Sequence, residues 1–274
     1  MQHMESKQRQ RRVLTAVVVL SAASAGTVVA CDSAGAAATY GKVSAHRGGD
    51  YGIDNSLKAI NGALSHGVRD IEGDVYFTTD QVGVLHHDDS LQNCHSSRTI
   101  TGSTWAQVSA LRCADGARPT KLADVLRAFL ASSNKSAVFR VEVKHHGEPA
   151  AGQRTAAKLL VQRLAEKNMT GRAIVQDFAW RNTAATIHAA HPGIRVSCLE
   201  KSVSAADITT AKSKNCYDVS YNAANWHTGL HAAIHGKGMQ VAVWTVDAKA
   251  QFTRLRSLHA NVIITDVPSQ ALHW

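Results

Sequence analysis

The sequence predicts an α/β fold, specifically a (β/α)8 TIM barrel, and three observations point to it. From residue 120 onward, apolar runs of strand length alternate with longer stretches whose apolar residues recur at helical spacing. None of the predicted strands is followed by a Gly-x-Gly-x-x-Gly turn, which argues against a dinucleotide-binding sheet. Finally, His46, Glu72, Asp74, Glu142, Lys144, Trp244 and Asp266 all fall at or just past predicted strand ends, where a barrel of this kind carries its site. From pattern alone, a doubly wound open sheet stays as the alternative.

The chain opens on Lys7, Arg9, Arg11 and Arg12, followed by an uncharged run over 13–30. That run is too short and too rich in Ala, Ser and Gly for a membrane span and reads as a secretory signal. Residues 1–38 are therefore assigned to a leader with a short linker and 39–274 to the barrel. Val28-Val29-Ala30-Cys31 resembles a bacterial lipobox, so the mature protein is expected either anchored by a lipid on Cys31 to the outer face of the membrane or, after cleavage near Ala36 to Ala38, freely secreted. Besides Cys31 there are four cysteines, an even number suited to an exported protein with two disulfides. Of the three possible pairings, Cys94 with Cys113 and Cys198 with Cys216 is favoured, because each closes a short loop, worth roughly 3 kcal/mol in the chain-entropy account. A zinc site lacks any Cys-x-x-Cys pair.

The first barrel strand is Val43-Ser44-Ala45, an apolar run that stops at His46-Arg47-Gly48-Gly49. Asp54-Asn55-Ser56 then offers N-cap side chains to a helix carrying Ala59, Ile60, Ala63 and Leu64, which Gly67 terminates. Residues 68–75 form the second strand, and its period of two puts Glu72 and Asp74 on one face. A strand or hairpin arm over 81–86 leads to His86 and His87, and the irregular, Ser-, Thr-, Gly- and Cys-rich stretch 90–118 reads as an insertion stapled by the first disulfide. Helix 121–132, strand 137–144, helix 153–167, strand 172–176, helix 180–190 and strand 194–198 follow. The pattern closes with helix 203–213, strand 217–221, helix 226–237, strand 239–245, helix 248–258 and strand 261–265, making eight strands with the first two. Glu142 and Lys144 share a face as Glu72 and Asp74 do.

Several of these pieces, in this order and spacing, resemble the glycerophosphodiester phosphodiesterase family. The resemblance rests on His46-Arg47-Gly48, Asp54-Asn55-Ser56, Glu72-Gly73-Asp74-Val75 with Thr79-Asp80, and His87-Asp88. It continues through Pro119-Thr120-Lys121-Leu122, Glu142-Val143-Lys144, Trp244-Thr245 and Thr265-Asp266-Val267-Pro268, and so covers 43–268. It implies the barrel, and hydrolysis of a glycerophosphodiester to sn-glycerol 3-phosphate and an alcohol. It also implies that His46 and His87 act as the acid–base pair and that Asp54, Glu72, Asp74 and Glu142 hold a metal. Asp54 stands where the family usually has Glu, and its side chain reaches one methylene less far.

Hard oxygen ligands without cysteine favour Ca²⁺, with Mg²⁺ as the alternative, and an exported protein meets millimolar calcium more readily than a cytosolic one. Arg47 and Lys144 are suited to phosphate oxygens, and Trp244 to a wall beside the glycerol moiety. The formal charge of +9 is scattered, with no long basic run and no nucleic-acid motif, so the partner expected is a small anionic substrate and not a nucleic acid. A monomer is expected. Two other readings share the motifs: a related barrel phospholipase D acting on sphingomyelin or lysophospholipids, and a non-catalytic lipoprotein that binds a phosphate ligand.

Overall fold

The computed structural model describes residues 40–113 and 116–274, and most of its strands end at or just past the end of an apolar run. Strands β1 (Lys42–Ala45), β2 (Asp70–Phe77), β5 (Val138–Val143), β6 (Ala173–Asp177), β7 (Arg195–Glu200), β8 (Asp218–Asn222), β9 (Gln240–Trp244) and β10 (Val262–Thr265) pair in parallel, each with the next. The ring closes between β10 and β1, with Ala45 opposite Thr265. This is the eight-stranded TIM barrel expected, not the open sheet. Parallel strands need crossovers, and the long helices supply them: α1 (Leu57–Ser65), α3 (Leu122–Ala131), α4 (Ala150–Glu166), α5 (Trp180–Ala190), α6 (Ala205–Ser213), α7 (Leu230–Gly236) and α8 (Lys249–Ser257). Short α9 (Pro268–Ala271) follows β10. The leader and its Cys31 lie outside the described residues.

Alternation sorts the strand residues between two environments. Ile71 and Val75 of β2, and Phe139, Val141 and Val143 of β5, turn outward into the main hydrophobic core between sheet and helices. Their neighbours Asp70, Glu72 and Asp74, and Arg140 and Glu142, are buried in the barrel interior. At its lower end the interior is tied together by Arg140, which is fully buried and bonded to both oxygens of Asp70 at 3.1 and 3.2 Å and to Asp218 Oδ2 at 2.8 Å. Ser44 Oγ donates to Asp70 at 2.7 Å, so four strands meet in this one network.

β2 sits two residues later than its hydrophobic pattern suggested. Val68 is held in the turn after α1, its N–H bonded to Ala63 O. At the other end β2 runs on to Phe77 because β1 has stopped and β3 (Gly83–Leu85) pairs with Val75–Phe77 in its place, with β4 (Thr120–Lys121) beyond it. The insertion between β3 and β4 includes α2 (Trp105–Ser109), capped by Thr104 and Gln107 in a reciprocal box. It has a small core of its own, formed by Tyr76, Val84, Leu91, Ile100 and Val108 beside the Cys94–Cys113 disulfide. Cys198 is bonded to Cys216, joining β7 to the segment before β8, so both expected pairings are present. Among the described residues no helix is long and apolar enough to cross a membrane.

Candidate active site

The turn after β1 sets the site's first two groups. Arg47, Gly48 and Gly49 all have positive φ (53°, 92° and 69°), which reverses the chain over the barrel mouth. A Cβ on Gly48 would lie 2.6 Å from that of Ala59, so glycine is required there to seat α1. The same reversal aims the Arg47 N–H at Glu72 Oε2, 2.8 Å away. The Arg47 side chain runs back into the mouth, donating to Asp54 Oδ2 at 3.1 Å, with Nε 3.2 Å from Asp74 Oδ2 but off the line of a hydrogen bond.

Glu72, Asp74 and Glu142 form the floor. All three are buried, and they can place one oxygen each within 4.8 Å of one another, a group that could hold a metal ion. Burial, and then the charge on Asp74, push Glu72 up to about 7 and Glu142 up to about 8. Asp74 goes the other way: burial raises it, but the Lys144 and Arg47 charges and a hydrogen bond from Asn55 outweigh burial and hold it low. Asn55 grips Asp74 twice, donating to Oδ2 at 2.9 Å and accepting from its N–H at 3.0 Å. Lys144 lies 2.9 Å from Glu142 and 3.5 Å from Asp74. Asp54, expected as a fourth ligand, stands apart from this group: its side chain is 60% exposed and its carboxylate pairs with Arg47.

The two histidines are held from one side and open on the other. His46 is bonded through Nδ1 to Asp266 Oδ1 at 2.5 Å, leaving Nε2 toward the cavity, 4.0 Å from Glu72 Oε2. Burial lowers the His46 pKa, but the Asp266 bond and the Glu72 charge raise it by more. His87 Nδ1 lies 2.9 Å from Asp88 Oδ1. His86 is occupied elsewhere, between Asp88 O and Asn93 Oδ1, and does not line the cavity.

These groups surround one cavity of about 280 Å³, whose lining includes His46, Arg47, Glu72, Asp74, His87, Glu142, Lys144 and Trp244. Trp244 meets Phe178 edge-on, ring centres 6.0 Å apart, and both line the cavity. The sequence placed Asp266 at a strand end without showing its partner, and gave no role to Gln176, Leu199 and Lys201, which line the cavity with Phe178. Only the inward parity of Gln176 in β6 and of Leu199 in β7 signals their placement.

Two histidines, an acidic floor and two cations at the C-terminal mouth of a (β/α)8 barrel define an enzyme built to work on a phosphate ester. The model of the glycerophosphoryl diester phosphodiesterase family matches residues 46–270. The Bacillus subtilis (strain 168) protein YhdW, provisionally named a glycerophosphodiester phosphodiesterase, is 25% identical over 82% of this chain and 93% of its own length. A glycerophosphodiester phosphodiesterase from Parabacteroides distasonis superposes with a TM-score of 0.76 at 24% identity, over 85% of this chain and 95% of that one. A phosphodiesterase from Oleispira antarctica, solved with the product sn-glycerol 3-phosphate, gives 0.75 at 16% identity, over 86% and 98%. The chain belongs to the glycerophosphoryl diester phosphodiesterase family and is a phosphodiesterase.

Proposed function

We propose that this enzyme hydrolyses glycerophosphodiesters to sn-glycerol 3-phosphate and an alcohol, that it requires a divalent metal, Ca²⁺ ahead of Mg²⁺, and that it works outside the cell as a monomer. The observation that carries the reading is the meeting of His46, His87, Arg47 and Lys144 with the three buried carboxylates around one cavity. The charged start and uncharged run over 13–30, read as a secretory leader, support the location, with free secretion as the alternative to a lipid on Cys31.

The donor set fits a hard cation: three carboxylates and no sulfur or imidazole in the group, buried where their mutual repulsion is otherwise offset by Lys144, Arg47 and the two histidines. Held by Glu72, Asp74 and Glu142, such an ion would draw negative charge from a phosphoryl oxygen. Arg47 and Lys144 flank the same floor and orient the remaining phosphate oxygens by charge-assisted hydrogen bonds. Asn55 fixes the Asp74 carboxylate in rotation, and the Arg47 N–H does the same for Glu72. With Nδ1 of His46 and of His87 engaged by a carboxylate, Nε2 of each is the nitrogen available for proton transfer. One takes a proton from the attacking water or from the substrate's glycerol hydroxyl; the other protonates the leaving alcohol oxygen as the phosphorus–oxygen bond breaks.

The test is release of glycerol 3-phosphate from glycerophosphoglycerol and glycerophosphocholine by the purified protein, with Ca²⁺, with Mg²⁺ and with chelator. His46→Ala and Glu72→Ala are each expected to lose at least about a hundredfold in kcat. Full activity in chelator would overturn the metal requirement. Cleavage of intact lysolipids without glycerol 3-phosphate release would replace the substrate class.

A further inference from the structure

The cavity has a second end whose chemistry the reaction above does not use. On β6, β7 and β9 the inward alternation carries past the strand ends, from Gln176 to Phe178, from Ser197 and Leu199 to Lys201, and from Ala242 to Trp244. The cavity wall away from the carboxylate floor is therefore Phe178, Leu199, Trp244 and Ile264, with Lys201 at its rim. Lys201 differs in kind from the other two cations of the cavity. Arg47 is paired with Asp54 and Asp74, and Lys144 with Glu142 and Asp74. Among the described residues Lys201 has no ion-pair partner; its backbone carbonyl is fixed by Asn225 Nδ2 at 3.0 Å, while its side chain stands exposed at the mouth.

We propose that Lys201 is a specificity-determining residue that selects glycerophosphodiesters whose alcohol portion carries a further negative charge, a second phosphate or a carboxylate. The inference rests on the glycerophosphodiesterase reading and names the substrate class within it. A phosphodiester spans the cavity with its phosphate over the floor, and the group it releases, rather than the glycerol moiety first expected beside Trp244, reaches the wall. An ammonium there attracts an anion and repels a quaternary ammonium, so the two aromatic rings do not serve as a cage for choline.

The test uses three diesters of graded headgroup charge: glycerophosphocholine, glycerophosphoglycerol and its terminal phosphate ester. The wild type is expected to rank them by kcat/KM in rising order of negative charge. Lys201→Met is expected to lower the ratio of the phosphorylated to the neutral substrate about fivefold, the size appropriate to an exposed charge pair. Lys201→Arg should keep the ratio, Lys201→Glu should invert the order, and the preference should fade at high salt. Equal wild-type kcat/KM for the three, or a ratio unmoved in Lys201→Met and Lys201→Glu, overturns the inference while leaving the phosphodiesterase reading intact. Loss of turnover on every diester, in the wild type itself, would instead be the failure of that underlying reading.

Discussion

Replacing Arg140 with methionine removes the bolt from the lower barrel and leaves its two acidic partners behind. The side chains are close in volume, so the loss is electrostatic and not a cavity. Arg140 is 0% exposed and makes three hydrogen bonds of 2.8 to 3.2 Å to Asp70 and Asp218. The partners do not suffer equally. Asp70 keeps the Ser44 hydroxyl, whereas Asp218 has no other side-chain partner, its Oδ1 already being unbonded. Stranding a buried carboxylate by removing its partner costs about 3–5 kcal/mol. At roughly 2–4 °C per kcal/mol for a domain of this size, Tm should fall by about 10 °C. Urea denaturation with disulfides intact measures it. Arg140→Met combined with Asp218→Leu should recover about 1–2 kcal/mol, because the carboxylate left without any partner is then gone. A single-variant loss under about 1 kcal/mol, or a double variant worse than the sum of its parts, would refute the reasoning.

Three further outcomes follow from the site and its rim. Asp266→Asn, which keeps the shape but removes the charge on His46 Nδ1, should lower kcat about a hundredfold and leave KM within about threefold, read from steady-state kinetics on glycerophosphoglycerol. Saturating Ca²⁺ at about a hundred times its Kd should stabilise the wild type by about 2.7 kcal/mol in a thermal melt. In those same melts Glu72→Gln should stand higher than the wild type in chelator, having shed a buried like charge, and gain nothing from calcium. The third concerns His145, whose ring is bonded on one side to Glu148 at 2.6 Å and on the other to Asp177 at 3.0 Å. Burial lowers its pKa, but the Asp177 and Glu148 contacts raise it further, while Glu148 is held low by backbone bonds and by His145 against the upward push of burial. The His145 contribution is therefore complete below its ordinary value of 6.5 and lost as pH rises through the raised one; that of Glu148 is complete above 4.5 and lost as pH falls through the lowered one. Wild type minus His145→Gln stability, from urea titrations across pH, should peak between these values; a flat difference would show that the clamp is not ionic.

What was legible in the sequence, and what was not, divides along one physical line. Period 2 shows which residues share a face, and it placed Glu72 with Asp74 and Glu142 with Lys144 correctly in one mouth. It cannot show which layer of a barrel a residue occupies, because that depends on register between strands far apart in sequence. Asp70, Glu72 and Asp74 read as three equivalent inward acids, as do Arg140, Glu142 and Lys144 as three inward charges. The observed register sets Glu72 opposite Arg140 and Asp74 opposite Glu142. Arg140 reaches down to Asp70, and Lys144 reaches back to Asp74 and Glu142, so the lower acid is fully paired and the upper three are crowded. The same limit hid Asp266. Its partner His46 lies 220 residues away, and only closure of the ring, with Ala45 beside Thr265, brings the two together. The barrel's chemistry thus differs along its axis: at the closed end Arg140 bridges Asp70 and Asp218, whereas at the open end three buried carboxylates crowd against one another beside Lys144 and Arg47. Such crowding is what the proposed metal ion would relieve at the open end, while at the closed end Arg140 already ties two acids together.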